Sequence, residues 1–492
     1  MYVERDESMN SCTRRDFLKT VGFTAASAGA CSLVPSCTGA EQITRVERVH
    51  PNIIFILADD LGYGDLGCYG QTEIKTPSLD RMAAKGMLFT QHYAGSTVCA
   101  PSRCVLMSGL HTGHCRVRGN SPGLLKPEDV TVAELLKRAG YVTGIIGKWG
   151  VGRPPPPGDP AHNGFDYFFG YLSMVHAHNY YPEFLWRNER KVKLGNIVEY
   201  TKSGYARDVG GVSTNKLDYS HDLFTKEALK FVKKNRNSPF FLELAYTIPH
   251  ANNQACPKGM EVPNYGIYKD KDWPEPEKGK AAMITRMDRD IGRLQFRLRE
   301  LGIDNRTLVM FSSDNGPHEE SGVAPDFFDS NGPLRGIKRD LYEGGIRVPL
   351  IARWPGKIKP GSVSDHVSAF WDFLPTCVEL AGLTPPKGID GISMLPTLIG
   401  QRERQKKHRF LYWEFHERGG KQAVRMGNWK AVRVHWHKNP DGPLELYNLK
   451  DDIGEKHNIA AQQSDVIAKI ENYLKIARTD SPNWPIGKRQ KN

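Results

Sequence analysis

Two oxygen-rich pairs and one cysteine stand out for the chemistry they could do. Asp59-Asp60 ends the run N-I-I-F-I-L-A, and Asp314-Asn315 ends the run T-L-V-M-F-S-S. All four side chains offer oxygen, the donor set of a hard divalent cation such as Ca²⁺ or Mg²⁺ rather than zinc. One Asp-Asp pair alone would read as a helix cap on a loop. Two pairs at the ends of two apolar runs point to a metal instead. Cys99 lies in T-V-C-A-P-S-R-C-V-L-M-S-G (97–109). It could be a small buried hydrophobe, half of a disulfide, or the precursor of a reactive group. Pro101 suits the first position of a helix. Cys99 would then sit at a helix N-terminus, where backbone N–H groups and the dipole favour an anion. Two further runs end in polar groups: Y-V-T-G-I-I leads to Gly147-Lys148, and P-F-F-L-E-L-A-Y leads to His250.

The elements that must carry these residues follow from the runs themselves. Short continuous apolar runs bounded by Gly or Pro read as strands buried on both faces. Helical patterns lie among them at 130–140, with Gly140 ending the first, and at 221–235 and 281–294. Strand–helix alternation predicts an α/β fold with a large, mostly parallel, doubly wound sheet. In such sheets the ligand site lies beyond the carboxyl ends of the strands, where all four runs deliver a polar group. Two stretches, 150–220 with its proline run 154–157 and 251–280, read as long loops that shape specificity. Tyr180, Tyr181, Phe184 and Trp186 in the first could stack on a sugar ring or simply pack the loop. From Arg409 onward, F-L-Y-W-E-F, K-Q-A-V-R-M-G and W-K-A-V-R-V-H-W suggest short antiparallel strands, followed by a helix near 463–478. The expected organisation is a catalytic domain over 48–405 and a smaller C-terminal α+β domain over 406–492.

Composition narrows the setting. The 492 residues are 39% hydrophobic and 25% charged, with a formal charge of +12 and a pI near 9.1. A basic balance favours anionic partners. The Lys and Arg are spread along the chain, and no nucleic-acid-binding motif is present, so nucleic acid is not the expected partner. T-R-R-D-F-L-K and the weakly apolar run after it read as an export signal over 1–40, with Arg14-Arg15 resembling a twin-arginine address. V-P-S-C, ending at Cys37, is a poor lipid-attachment site, so membrane attachment is expected only through a lipid there. The expected location is the periplasm or cell surface of a bacterium. Six cysteines follow Cys37, with no C-x-x-C. That pattern is neither a zinc site nor a disulfide scaffold, although Cys104 and Cys115 are close enough in sequence to pair.

C-A-P-S-R (99–103) resembles the C-x-P-S-R signature of the sulfatase family, within the alkaline-phosphatase-like superfamily. G-Y-V-T-G-I-I-G-K-W (140–149), I-L-A-D-D-L-G-Y-G-D, S-S-D-N-G, T-I-P-H (247–250) and G-I-K-R-D-L-Y-E-G-G-I-R-V-P (336–349) also match that family, in order, over roughly 50–460. The resemblance implies that a formylglycine-generating enzyme oxidises Cys99 to formylglycine, whose hydrate attacks sulfur and ligates the metal. It also implies that Arg103 steadies this group and that Asp59, Asp60, Asp314 and Asn315 hold Ca²⁺ (or Mg²⁺). Lys148 and Lys338 would clamp sulfate oxygens, and His250 would contact sulfate and protonate the leaving alcohol. The implied substrate is a sulfated carbohydrate, as in bacterial polysaccharide sulfatases. Glu414 and His416 in W-E-F-H-E, with His176 and His178 in H-A-H, are the expected substrate contacts. One position departs: the family commonly reads G-K-W-H, and here Gly150 stands in place of a histidine credited with helping sulfate leave. His176, His178 or His111 could serve instead, a branch of the family could do without it, or the protein could bind sulfated glycans without turnover. A phosphomonoester or phosphonate hydrolase of the same fold is the remaining alternative.

Overall fold

The computed structural model describes residues 50–120, 124–152, 158–202 and 209–487. The expected export signal with Cys37, the proline run 154–157 and the extreme C-terminus lie outside the described residues. The strands, in chain order, are β1 (Asn52–Asp59), β2 (Met87–Phe89), β3 (His92–Tyr93), β4 (Val142–Lys148), β5 (Tyr167–Tyr171), β6 (Phe184–Arg187), β7 (Arg190–Lys193), β8 (Ile197–Tyr200) and β9 (Gly211–Asn215). They continue with β10 (Phe240–Pro249), β11 (Thr307–Ser313), β12 (Leu350–Arg353), β13 (Ser362–Ser364), β14 (Ser368–Ala369), β15 (Leu411–Phe415), β16 (Lys421–Met426), β17 (Trp429–Val434) and β18 (Glu445–Asn448).

Ten strands form one mixed sheet in the order β13-β2-β12-β11-β1-β10-β4-β5-β6-β7. Its centre is parallel: β11, β1, β10, β4 and β5 run the same way. The four predicted strands are thus neighbours, and their carboxyl ends lie side by side. All eight residues of β1 are buried. Ile53, Phe55 and Leu57 enter one apolar layer while Ile54, Ile56 and Ala58 enter the other, the period-two split of a strand covered on both faces. One layer is closed by α1 (Pro77–Ala84), α4 (Ser220–Lys234) and α5 (Glu275–Glu300). The other is closed by α2 (Cys99–Ser108), α3 (Val132–Arg138) and α6 (Phe373–Leu380), together with Trp413 and Phe415.

The C-terminal region forms the expected antiparallel sheet, β15-β16-β17-β18, with α7 (Ser464–Ile476) against it. Two expectations need correction, and one open possibility is decided. Residues 150–220 are not one loop: β5, β6 and β7 extend the main sheet and β8 pairs with β9. The strands there are four or five residues long, and β7 at the sheet edge is R-K-V-K, so no long apolar run marks them. Tyr180 and Tyr181 are buried in the core beneath this segment. The third helical pattern, 281–294, is also much longer than its sequence suggested, because α5 begins at Glu275. Finally, Cys104 and Cys115 are separate free thiols, with Cys115 Sγ donating to the Val117 carbonyl at 3.1 Å.

Candidate active site

The polar ends of the four central strands meet at one edge of the sheet. Asp59 closes β1, and Asp60 follows in the left-handed region at φ +64°. Asp314 and Asn315 follow β11, Lys148 ends β4, and His250 follows β10. The chain is cross-tied here: the Asp60 N–H donates to Asp314 Oδ1 at 3.1 Å, and Asn315 Nδ2 donates to Asp60 Oδ1 at 2.7 Å. Helix α2 begins at Cys99 itself, so Pro101 occupies the third helical position rather than the first. Proline is tolerated there because N–H groups of the first turn have no helical partner. Cys99 remains at the N-terminus, and Asn120 Oδ1 accepts from the Ala100 N–H at 3.3 Å beside it.

Cations and carboxylates alternate through the pocket. Arg103, one turn into α2, donates to Asp314 Oδ2 at 3.1 and 2.8 Å and to the Lys148 carbonyl at 2.8 Å. Lys148 Nζ lies 2.6 Å from Asp59 Oδ2. Lys338 Nζ lies 2.8 Å from Asp60 Oδ2 and 3.1 Å from His250 Nε2. Burial opposes charge on every one of these groups, and the partners decide the outcome. Lys148, His250 and Arg103 outweigh burial at Asp59 and hold its carboxyl well below the usual range. Asp59 outweighs burial at Lys148 and raises that ammonium's pKa. At Asp314 burial and the neighbouring Asp59 win, and its pKa is pushed up to about 7. Burial likewise raises the Cys99 thiol, so Cys99 as it stands is a poor thiolate nucleophile.

Two oxygens in this pocket, Asp59 Oδ1 and Asn315 Oδ1, are buried without a hydrogen-bond donor. An orphaned buried acceptor costs about 1–3 kcal/mol, and oxygen atoms of this kind are what a hard cation takes as ligands. The residues therefore fit a divalent cation. Asp59, Asp60 and His250 also lie close enough for one ion. The His250 ring is otherwise engaged: Nδ1 is 2.6 Å from the Ala251 carbonyl, which makes it the proton-bearing nitrogen, and Nε2 accepts from Lys338.

The other expected contacts separate. His178 joins the site: its ring stacks on His250 at 4.7 Å, and Nδ1 faces Gln254 Oε1 at 3.2 Å. Burial and the nearby His250 hold its pKa well below the usual value. His176 instead packs against Tyr171 and Phe184 in the interior. His111 packs on His114, with Asp390 3.5 Å from its Nε2. Glu414 is fully buried and its oxygens are taken by Arg118, His416, Tyr412 and Arg478. The expectation of substrate contact at Glu414 is corrected, while His416 is partly buried with its Nε2 2.9 Å from Glu414 Oε1. Three ion pairs and one tyrosine hydroxyl converge on Glu414, with Arg118 and Arg478 coming from distant parts of the chain, a network that only packing creates. The sequence reading also missed Glu320. Its Oε2 is 3.2 Å from Lys338 Nζ and its Oε1 is 2.8 Å from Arg339. The backbone N–H of Glu320 donates to His318 Nδ1 at 3.0 Å, and His318 Nε2 donates to the Pro249 carbonyl at 3.1 Å. P-H-E-E immediately after Asp314-Asn315-Gly316 was the signal that could have found it.

A parallel sheet whose carboxyl edge gathers oxygen donors and fixed cations defines a hydrolase of anionic esters with the alkaline-phosphatase-like fold. A sulfatase family model matches residues 51–383, and a model for the C-terminal part of N-sulphoglucosamine sulphohydrolase matches 337–480. N-acetylgalactosamine-6-sulfatase of Sus scrofa is 33% identical over 403 residues, covering 78% of this chain and 72% of the relative. Human arylsulfatase A is 31% identical over 469 residues and 86% of each chain. Among solved structures, Ps i-CgsB in complex with k-i-k-neocarrahexaose superposes with a TM-score of 0.72 at 28% identity, covering 89% of this chain and 94% of that one. The chain belongs to the sulfatase family and is a sulfuric ester hydrolase.

Proposed function

We propose that the protein removes sulfate from a sulfated carbohydrate outside the cytoplasm, with Cys99 converted to formylglycine by a formylglycine-generating enzyme. One divalent cation, Ca²⁺ by the all-oxygen donor set, would be held by Asp59, Asp60, Asp314 and Asn315. The observation that carries this reading is the pair of donorless oxygens, Asp59 Oδ1 and Asn315 Oδ1, in the same pocket as Cys99, Lys148 and Lys338. The names of similar proteins support the substrate class: an N-acetylgalactosamine-6-sulfatase and a protein solved with a neocarrahexaose. The export signal expected from the sequence over 1–40 is the ground for the location, at the periplasm or cell surface.

When present, the formylglycine hydrate supplies the attacking oxygen and the cation polarises the sulfate. The chain's own residues do the rest. Lys148 and Lys338 hold sulfate oxygens, with their ammonium groups kept charged by Asp59 and by Asp60 and Glu320. Removing one such preorganised contact costs about 10²–10³ in rate. Arg103 aligns Asp314 and the Lys148 backbone. The leaving oxygen takes its proton from the Lys338–His250 pair, where Lys338 holds the proton facing His250 Nε2. A positioned proton donor of this kind is worth about 10²–10⁴.

Peptide mass analysis of residue 99 in protein from its native host tests the modification. Aryl sulfate should be hydrolysed far faster than aryl phosphate, and Cys99→Ala should lose turnover while keeping its fold. An unmodified thiol with no aryl sulfate turnover would leave a glycan-binding protein instead. Faster phosphate hydrolysis would make it a phosphatase.

A further inference from the structure

The reaction at Asp59 and Lys338 handles one sulfate, and it leaves most of the basic charge of the chain unexplained. Part of that charge is concentrated at residues 402–409, R-E-R-Q-K-K-H-R, where the main sheet meets the C-terminal sheet. The run folds over a cavity of about 430 Å³. Arg402, Lys407, His408, His366 and Arg425 line it, and Asp365 is the one carboxylate among the lining residues. Arg402 and Lys407 are exposed. Arg425 is buried and held by Tyr93 and Gln91. His408 Nε2 is pinned at 2.8 Å to the buried Asp372, which outweighs burial and favours the imidazolium. His366 Nε2 is buried and has no hydrogen-bond partner, and burial lowers its pKa, so His366 adds an unpartnered neutral ring nitrogen to the cavity wall rather than a charge.

The position is set by register. Ser312 pairs with Leu350, Leu350 with Phe89, and Phe89 with Ser364. The cavity wall at Ser364 is therefore level with Ser312, two residues before Asp314, and three strands away. At about 4.8 Å per strand that is about 14 Å. β16 gives the same answer. Its first residue, Lys421, holds the Arg339 carbonyl at 2.8 Å and Asp340 Oδ1 at 2.6 Å beside Lys338, and Arg425 lies four residues on, about 13 Å at 3.3 Å per residue.

We propose that this cavity is a second anion site, which binds a further sulfate group of the same sulfated chain while another sulfate ester occupies the active site. The proposal rests on the sulfated-carbohydrate reading above. A span near 14 Å covers a few sugar units, so the site would favour oligosaccharides over single sugars. It requires a polyanion, since one sulfate cannot reach both places.

The test uses the full-length enzyme with a heparin-derived hexasaccharide as binding probe and a small aryl sulfate as substrate. Arg402→Ala/Lys407→Ala should weaken hexasaccharide binding about tenfold, two charge contacts' worth, with aryl sulfate turnover unchanged. The control, Arg289→Ala/Arg293→Ala on α5, removes the same charge elsewhere and should leave binding unchanged. Equal losses in both variants, or no loss in the first, would overturn the second site. A wild-type enzyme that hydrolyses no aryl sulfate would defeat the functional reading instead, and the binding comparison would still decide the site.

Discussion

At the scale of single residues, Gly150 and Glu320 carry the most consequence. Gly150 has φ +77°, and a Cβ there would lie 3.2 Å from Arg103 Cδ. A side chain at this position would strain the backbone, at a cost on the order of 1–2 kcal/mol, and press on the arginine that aligns Asp314. Gly150→His is therefore expected to lower the melting temperature and the aryl sulfate rate together. Increased turnover with normal stability would show that the site lacks only an imidazole. Glu320 is the acidic support of Lys338 and Arg339. Glu320→Gln should lower kcat about tenfold, the worth of about 1.4 kcal/mol in the transition state, with KM for a small aryl sulfate little changed. A rise in KM alone would make Glu320 a binding residue.

At the scale of elements, β1 is the member on which the site depends. Its odd residues face one core layer and its even residues the other, so neither face can yield without moving Asp59 and Asp60. Ile56 is fully buried. Ile56→Ala should destabilise the protein by about 2–5 kcal/mol, seen as a lower urea midpoint, with activity lost in parallel with folding. The central strands were legible because they are buried on both faces and read as unbroken apolar runs. β6 and β7 were not, because each is only four residues long and β7, at the sheet edge, carries three charged residues among its four. The start of α2 was misplaced by two residues for a related reason: a proline marks the first turn of a helix but does not say which of its positions it fills.

For the whole molecule, acid is the expected weakness. Burial, the leading cause in each case, pushes His92 to about 3, His176 to about 3 and His111 to about 4, from an ordinary 6.5. A folded-state pKa below the unfolded one means that the unfolded chain binds more protons in acid. Their contribution is complete above about 6.5 and is lost as pH falls toward 4. The melting temperature should therefore fall steeply over that range, and His92→Gln should flatten the slope. A melting temperature independent of pH between 7 and 4 would contradict this.

By itself the sequence determined the strand ends that carry chemistry. An apolar run followed by Asp-Asp, Asp-Asn, Gly-Lys or His is a local pattern, and parallel strands bring all their carboxyl ends to one edge whatever their order. The tertiary structure alone decided which groups share that edge. His178 stacks on His250 while His176, two residues away, packs into the core. Glu414 is spent on Arg118 and Arg478, and Glu320 reaches Lys338 across 18 positions of chain. Such choices depend on how loops cross the sheet and on which buried charges find partners, and neither is written in any one segment.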